Sequence, residues 1–331
     1  MRVNDELLRV TVFAPAKVNL TLHVTGQRDD GYHTLESLIA FATRGDTVTV
    51  TPGDVLSLRC VGPEGDNVPE DADNLILKVA RQFQDMPGAA FLLEKHLPIA
   101  SGIGGGSADA AAAFRALMCI WSGGETGDDA YDPGQTPFAE RLLTLGADIP
   151  VCLSCKAARM QGVGETLSLV DNLPGMDAVL VNPRVGVSTP RIFKALDDKN
   201  NAPMPARLPR FAGVYELALW LKEQRNDLQA PAMALVPEIR DAIDALEHDK
   251  DCMFARMSGS GATCFGIFPN KERARDAAER IAKANPAWWV RNTRLTSMSN
   301  AAKPRLEWAS DAEAADAEQA EAKTEGSSSP G

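Results

Sequence analysis

The stretch L-P-I-A-S-G-I-G-G-G-S-A-D-A-A-A-A, residues Leu97–Ala113, decides the reading of this chain. Four glycines, Gly102, Gly104, Gly105 and Gly106, run directly into an alanine-rich segment of high helix propensity. Ser107 is expected as the N-cap of that helix and Asp109 in its first turn. Glycines let backbone N–H groups approach a ligand closely. A helix start adds unpaired donors and the positive end of the macrodipole. The stretch therefore reads as a phosphate cradle, against the plainer reading of a glycine turn that holds no ligand. It is not a Walker A loop, because no Gly-Lys pair occurs in the chain. It also misses the dinucleotide fingerprint, since Ser107 stands where the third glycine belongs. The H-R-D and D-F-G signatures of protein kinases are absent. A nucleotide site of another architecture remains.

Composition narrows the choices. At 331 residues the chain can build two domains with full cores. A formal charge of −11 argues against sequence-independent binding to nucleic acid or to an anionic membrane, yet permits a local basic pocket for a phosphorylated metabolite. No run approaches the ~18 apolar residues of a membrane span. The start, M-R-V-N-D-E-L-L-R-V, lacks the apolar core of a signal peptide, so the expected location is cytoplasmic. Six scattered cysteines make no disulfide framework. Cys152 and Cys155 form a lone C-x-x-C in an apolar run and read as buried thiols rather than half a zinc site.

Along the chain, strands are expected at Leu8–Phe13 and Val18–Thr25, and as a pair, Asp46–Thr51 with Val55–Cys60, around Pro52-Gly53. A helix over Asn74–Gln84, capped by Asp73, precedes a strand at Phe91–Lys95 and the glycine loop. Helices follow at Ser107–Trp121 and Pro137–Leu145, flanking a polar insert at Ser122–Gln135. Strands resume near Val151 and at Ala178–Asn182, with a Pro-containing loop over Asn200–Pro209. Helices at Val214–Glu223 and Pro237–His248 lead to strands Cys252–Ser258 and Thr263–Phe268 around Ser258-Gly259-Ser260-Gly261. A helix at Lys271–Ala284 and a strand at Trp288–Thr296 close the pattern, which reads as two α+β units with a seam after Asp148. Residues Ala301–Gly331 carry seven acids and three bases and almost no large apolar side chain, and read as a disordered acidic tail.

Four segments then match one pattern: P-A-K-V-N-L at Pro15–Leu20, continuing to G-Y-H at Gly31–His33; the glycine loop from Pro98 to Ala108; G-A-D-I-P at Gly146–Pro150; and S-G-S-G-A at Ser258–Ala262. Together they closely resemble the GHMP small-molecule kinases. The A-K-V-N-L and G-Y-H segments look like the branch that phosphorylates cytidine diphosphate methylerythritol, in the non-mevalonate route to isoprenoid precursors. The resemblance covers about Phe13 to Thr296. It implies an α+β, two-domain GHMP kinase fold, with a ribosomal S5 domain 2-like N-terminal domain (1–160), a ferredoxin-like C-terminal domain (161–300) and the tail (301–331) outside both. It further implies ATP with Mg2+, a small-molecule acceptor, and action as a monomer or homodimer.

The resemblance assigns roles residue by residue. Asp148 matches the catalytic base, and a carboxylate near a sugar hydroxyl can take its proton as the γ-phosphoryl group transfers. Lys17 matches the active-site lysine, which would orient Asp148 and offset charge on the phosphoryl oxygens. Alone, Lys17 reads as a surface lysine and Asp148 as a turn acid. Asn19 shares a strand face with Lys17 and resembles a substrate-holding asparagine. Tyr32 and His33 match a cytosine-recognising pair, with Phe193 as a second aromatic wall; plain core packing is the alternative for Phe193 and a surface turn for His33. On the ATP side, Lys95 and the Asn74-Leu75 pair resemble adenosine neighbours. Pro98, Ile99, Ala100, Ser101, Gly102, Ile103, Gly104, Gly105, Gly106, Ser107 and Ala108 form the phosphate loop. Two departures from the more usual G-G-L-G-G-G-S-S matter: Ile103 is a mild change, while Ala108 removes a hydroxyl that could ligate magnesium or phosphate. A kinase for homoserine, mevalonate or a sugar, and a non-catalytic binder of this fold, are the competing readings. Tyr32, His33 and Phe193 argue against the first, and the retained Lys17 and Asp148 against the second.

Overall fold

A computed structural model describes residues 7–83, 87–123 and 138–308. The chain runs β1 (Leu7–Asn19), β2 (His23–Gln27), β3 (His33–Pro52), β4 (Ser57–Val61), α1 (Leu75–Ala80), β5 (Ala89–Glu94), α2 (Gly105–Trp121), α3 (Ala139–Leu145), α4 (Ile149–Ser154), β6 (Ala158–Gly162), β7 (Thr166–Leu169) and β8 (Met176–Asn182). It continues through α5 (Thr189–Lys194), α6 (Val214–Glu223), α7 (Gln229–Leu235), α8 (Glu238–Glu247), β9 (Phe254–Met257), β10 (Cys264–Phe268), α9 (Lys271–Ala284), β11 (Trp289–Thr296) and β12 (Arg305–Trp308).

The strands join in one hydrogen-bonded network, with the main path β12-β1-β3-β11-β8-β10-β9. The 20-residue β3 is its hub: overlapping stretches of its two edges pair with β1, β2, β5, β6 and β11. One apolar cluster packs α1, α2 and α4 onto the β1, β3 and β5 side. A second packs α7, α8 and α9 onto β8 and β10. A third, including Val18, Leu20, Leu38, Leu180, Phe265 and Trp289, joins β1 and β3 to β8, β10 and β11, with α6 packed on it.

Helix α2 is buried nearly all round, and alanines at 108, 110, 111, 112, 113 and 116 let it lie close to the strands. Its Phe114 is fully buried, and truncation to Ala would cost about 3–5 kcal/mol. Arg115, also buried, donates from Nη1 to the Cys152 and Leu153 carbonyls at 2.8 and 3.1 Å and from Nη2 to the Phe13 carbonyl at 3.3 Å. A cation thereby satisfies the last carbonyls of α4 and fixes that short helix, which begins immediately after Asp148.

Several expectations need correction. The two N-terminal runs are not separated at Ala14-Pro15-Ala16. Instead β1 crosses that segment with a register shift between Pro15 and Lys17, a bulge that accommodates proline within a strand. Strands β3 and β4 do not pair across Pro52-Gly53; β5 lies between them, parallel to β4. The cap of α1 is Asn74, whose side chain accepts from the Ile76 N–H at 2.9 Å, rather than Asp73. The strand expected near Val151 is α4, with Pro150 in its first turn. The acidic tail does not start at Ala301, since Ala302 is buried and Arg305–Trp308 pair with β1. Most of the polar insert at 122–135 and residues 309–331 lie outside the described residues. The six cysteines form no disulfide. No helix among the described residues is long and apolar enough to cross a membrane.

Candidate active site

The glycine loop starts its helix earlier than the sequence suggests. Gly104, at φ 63°, is the N-cap of α2, and the Ala108 N–H donates to the Gly104 carbonyl at 2.8 Å. Ser107 is therefore the third helical residue and Asp109 the fifth, outside the first turn. The left-handed backbone at Gly104 does the work of a capping side chain, and only glycine adopts it without strain. The lack of a Cβ there has a second use. One built on Gly104 would sit 3.3 Å from the Lys17 Cβ and 3.4 Å from its Cε, so the lysine stem passes directly against the loop.

The bulge in β1 makes that approach possible. It frees the Lys17 N–H from the strand ladder to donate to the Ile103 carbonyl at 2.9 Å. The side chain is 4% exposed, and its Nζ lies 2.7 Å from Asp148 Oδ2. Asp148 is the N-cap of α4 but makes no side-chain capping bond, which leaves its carboxylate, 31% exposed, to face Lys17 and the cleft.

A second glycine turn closes on the first. The Thr263 N–H donates to the Ser101 carbonyl at 3.0 Å, and Ser258 Oγ donates to the Gly102 carbonyl at 3.1 Å. A Cβ on Gly102, at φ 74°, would lie 2.5 Å from the Gly261 carbonyl oxygen. Two backbones in such contact admit no side chain. Asn226 holds the second turn from behind, donating to the carbonyls of Met257 and Gly259 at 2.8 Å each. The Asn19 N–H donates to Ser258 Oγ at 3.1 Å, and its Nδ2 donates to Ser37 Oγ at 2.7 Å. Its Oδ1 is buried without a partner, an acceptor oriented by the fold and left for a ligand.

These pieces surround a cleft of about 600 Å³. One wall carries Val68, Pro69, Asn74 and Leu75 beside the glycine loop; the opposite wall carries Val187, Thr189 and Phe193. Lys17, Asn19, Lys95, Pro98, Ile99, Ala100, Ser101, Gly102, Gly104, Gly105, Gly106, Ser107, Asp148 and Phe193 all line it, so the structure gathers most of the expected site. Ile103 and Ala108 do not line it, being buried at 0% and 1% exposure. A hydroxyl at position 108 would thus have faced the core, and its loss leaves the cleft unchanged.

The aromatic positions arrange differently from the expected sandwich. His33 stacks directly on Phe193, with ring centroids 4.6 Å apart and planes 21° from parallel. Tyr32 is 67% exposed and does not line the cleft. The His33 Nε2 is buried without a partner. Burial, helped by the nearby Lys199 charge, holds the ring's pKa below the ordinary histidine value, so it is neutral at physiological pH.

Lys95, expected beside the adenosine, anchors the entry to the glycine loop. Its buried Nζ donates to Asp46 Oδ2 at 2.5 Å and Asp109 Oδ2 at 2.7 Å. Asp46 Oδ1 accepts from the His96 and Leu97 N–H groups at 2.6 and 2.9 Å, pinning the entry to the glycine loop. Burial alone would lower the Lys95 pKa, but the two carboxylates outweigh it and hold the ammonium above its ordinary value. Burial pushes the Asp109 carboxyl well above the usual carboxylate range, against the pull of Lys95. Sequence reasoning missed Asp46, Asp109 and Asn226 in these roles, because their partners lie far away in the chain and no motif joins them.

Fold, glycine turns and the Lys17–Asp148 pair together define a GHMP kinase. Residues 74–154 match the family described as GHMP kinases N terminal domain, and residues 207–287 match GHMP kinases C terminal. Among solved structures, a homoserine kinase from Cytophaga hutchinsonii shares the fold, with a TM-score of 0.60 at 18% identity over 93% of this chain and 100% of that one. The chain is 52% identical over 297 residues to the 4-diphosphocytidyl-2-C-methyl-D-erythritol kinase of Roseobacter denitrificans, covering 90% of this chain and 97% of the relative. It is 51% identical to that of Ruegeria pomeroyi, over 87% and 100% respectively. A crystal structure of 4-(cytidine 5'-diphospho)-2C-methyl-D-erythritol kinase superposes with a TM-score of 0.68 at 31% identity, covering 86% of this chain and 99% of the other. The chain belongs to the 4-diphosphocytidyl-2-C-methyl-D-erythritol kinases.

Proposed function

We propose that this protein transfers the γ-phosphoryl group of ATP to the 2-hydroxyl of 4-diphosphocytidyl-2-C-methyl-D-erythritol, with Asp148 as general base. The observation that carries the reading is the Lys17 Nζ to Asp148 Oδ2 contact of 2.7 Å, made inside the cleft and beside the glycine loop. The acceptor oxygen forms the new bond to phosphorus as the bond to the ADP oxygen breaks, and its proton passes to Asp148. Lys17, held by the loop it touches, orients that carboxylate and offsets charge gathering on the phosphoryl oxygens. The free Oδ1 of Asn19 is available to accept from an acceptor hydroxyl. The loop from Pro98 to Ser107, with Lys95 bracing its entry, would wrap the phosphates of ATP through backbone N–H groups.

Mg2+ belongs to this reading as the charge-neutralising partner of the ATP phosphates. Among the described residues no three His, Cys, Asp or Glu side chains converge on one point to form a cage. The nucleotide's oxygens and water would supply most of the ligands.

Phe193, and His33 stacked on it, are the candidates for the cytosine site. Opening their stack or adding Tyr32 from outside would provide the flat faces a base needs. The reading assigns the chain to the cytoplasm, as a monomer or homodimer, and the buried thiols suit a reducing compartment. ADP release with ATP and Mg2+ tests it, comparing the cytidylyl acceptor with homoserine and mevalonate. Turnover confined to the first is expected. Turnover confined to either of the others would remove the cytosine site and keep the Lys17–Asp148 chemistry.

A further inference from the structure

Arg184 has an unusual backbone and an unusual partner. It follows β8 at φ 60°, a left-handed conformation that residues with a Cβ rarely adopt. The Asn182 side chain holds it there, with Oδ1 accepting from the Arg184 N–H at 2.7 Å. Asn182 is itself fixed, donating from Nδ2 to Thr263 Oγ1 at 2.9 Å, and both are buried. Thr263 is the residue whose N–H holds the Ser101 carbonyl of the phosphate loop.

The guanidinium projected from this backbone makes a two-pronged ion pair with Glu64, Nη1 to Oε2 at 2.9 Å and Nη2 to Oε1 at 2.5 Å. Glu64 is 9% exposed at its side chain and tied to the same loop, its N–H donating to the Lys95 carbonyl at 3.1 Å. Both loops continue into the cleft. Beyond Glu64 come Val68, Pro69 and Asn74 of the nucleotide wall; beyond Arg184 come Val187, Thr189 and Phe193 of the opposite wall. A circuit therefore closes from Lys95 to Glu64, Arg184, Asn182, Thr263 and Ser101. Strained backbone persists only where its surroundings over-determine it, and planar two-pronged pairs fix orientation as well as distance.

We propose that Arg184 and Glu64 are positioning residues that clasp the two walls of the cleft, setting their separation for ATP and the acceptor together. Neither residue lines the cleft, and they act through the loops they join. The proposal rests on the reading of the cleft as a kinase site.

The test is a charge swap. Glu64→Arg and Arg184→Glu are each expected to raise the KM of both substrates about threefold to tenfold, with kcat changed less than twofold. The double swap should return both KM values to within about twofold of the parent. Arg184→Gly adds a readout that a purely structural role would move the other way: relief of the left-handed strain should leave the melting temperature equal or higher, while both KM values rise. ATP binding measured by calorimetry without acceptor should weaken in the single variants by a similar factor, a result that does not depend on the acceptor's identity. A double swap no better than the sum of its single changes would overturn the clasp, as would Arg184→Gly with unaltered KM values and ATP affinity.

Discussion

Replacing Asp148 by Asn keeps the shape of the side chain and removes its ability to take a proton. General-base catalysis contributes 10²- to 10⁴-fold in rate. Two features favour the lower half of that range here. Asp148 is 31% exposed, so water can reach the acceptor region and take over part of the role. Phosphoryl transfer also proceeds through a loose transition state, in which the hydroxyl loses its proton late. The expected loss is about 10²- to 10³-fold in kcat, or roughly 2.7–4.1 kcal/mol of barrier at 1.36 kcal/mol per decade. The structural cost should be smaller. Asn Oδ1 can still accept from Lys17 Nζ, and the pair is intermediate between an exposed bridge, worth up to about 1 kcal/mol, and a sealed one, costing about 3–5 kcal/mol to break. A stability loss of about 1–3 kcal/mol follows, within reach of a folded enzyme. Single-turnover ADP formation at saturating ATP and acceptor measures the chemistry, and calorimetric ATP binding checks that the loop survives. Turnover within tenfold of the parent, with ATP affinity intact, would refute the general-base assignment.

Three other expectations follow from the same structure. Gly102→Ala forces a Cβ toward the Gly261 carbonyl from a left-handed backbone, and should cost roughly 2–4 kcal/mol in denaturant unfolding while raising the KM for ATP; an unchanged unfolding midpoint would mean the two glycine turns are not in contact. Ending the chain after Trp308 should leave turnover and stability as they were, whereas ending it after Asn300 strips β12 from β1 and should lower the melting temperature clearly, and equal behaviour of the two would contradict the β1–β12 pairing. His23 is held below the ordinary histidine pKa by burial, with Arg225 adding to the effect, so the unfolded chain binds more protons than the native one near pH 6. Stability from this group is present above about pH 6.5 and falls as pH drops through the folded value. Thermal unfolding scanned from pH 7.5 to 5 should decline, and His23→Gln should flatten part of that decline.

Chemistry concentrated in contiguous motifs was legible. Lys17, Asp148 and the glycine loop sit in short segments whose residue types and spacing are themselves the signal, and the structure brings them to one cleft. The start of α2 is not legible in the sequence because a left-handed glycine can replace a capping serine, and sequence alone favours the side chain. Val151 reads as a strand because V-C-L-S-C is short and apolar, a run that periodicity cannot assign; Pro150 is the signal that favours the helix. The pairing of β4 is hidden because Pro52-Gly53 looks like a hairpin turn, while β5 arrives more than 30 residues later to take the place beside β3. Contacts such as Asp46 with Lys95 and Asp109, or Phe193 with His33, join residues with no common pattern, and only the folded chain displays them.

The arrival of β12 on β1, and of β11 on β3, has a consequence for how the protein is made. On a ribosome adding about 5–20 residues per second, nearly 300 residues separate Thr11 from its partner Arg305, a delay of roughly 15–60 s. Throughout that interval Val10 and Thr11 have a strand neighbour on the β3 side only and Leu7–Arg9 have none, so the unpaired N–H and C=O groups are open to any extended chain. Arg9 gives that edge a charged defence in the meantime, and its 2.6 Å bond to Glu307 locks the edge when β12 docks. Nascent molecules are thus most vulnerable to intermolecular strand pairing just before completion, and conditions that slow translation should tax the yield of soluble protein more than they tax its final stability.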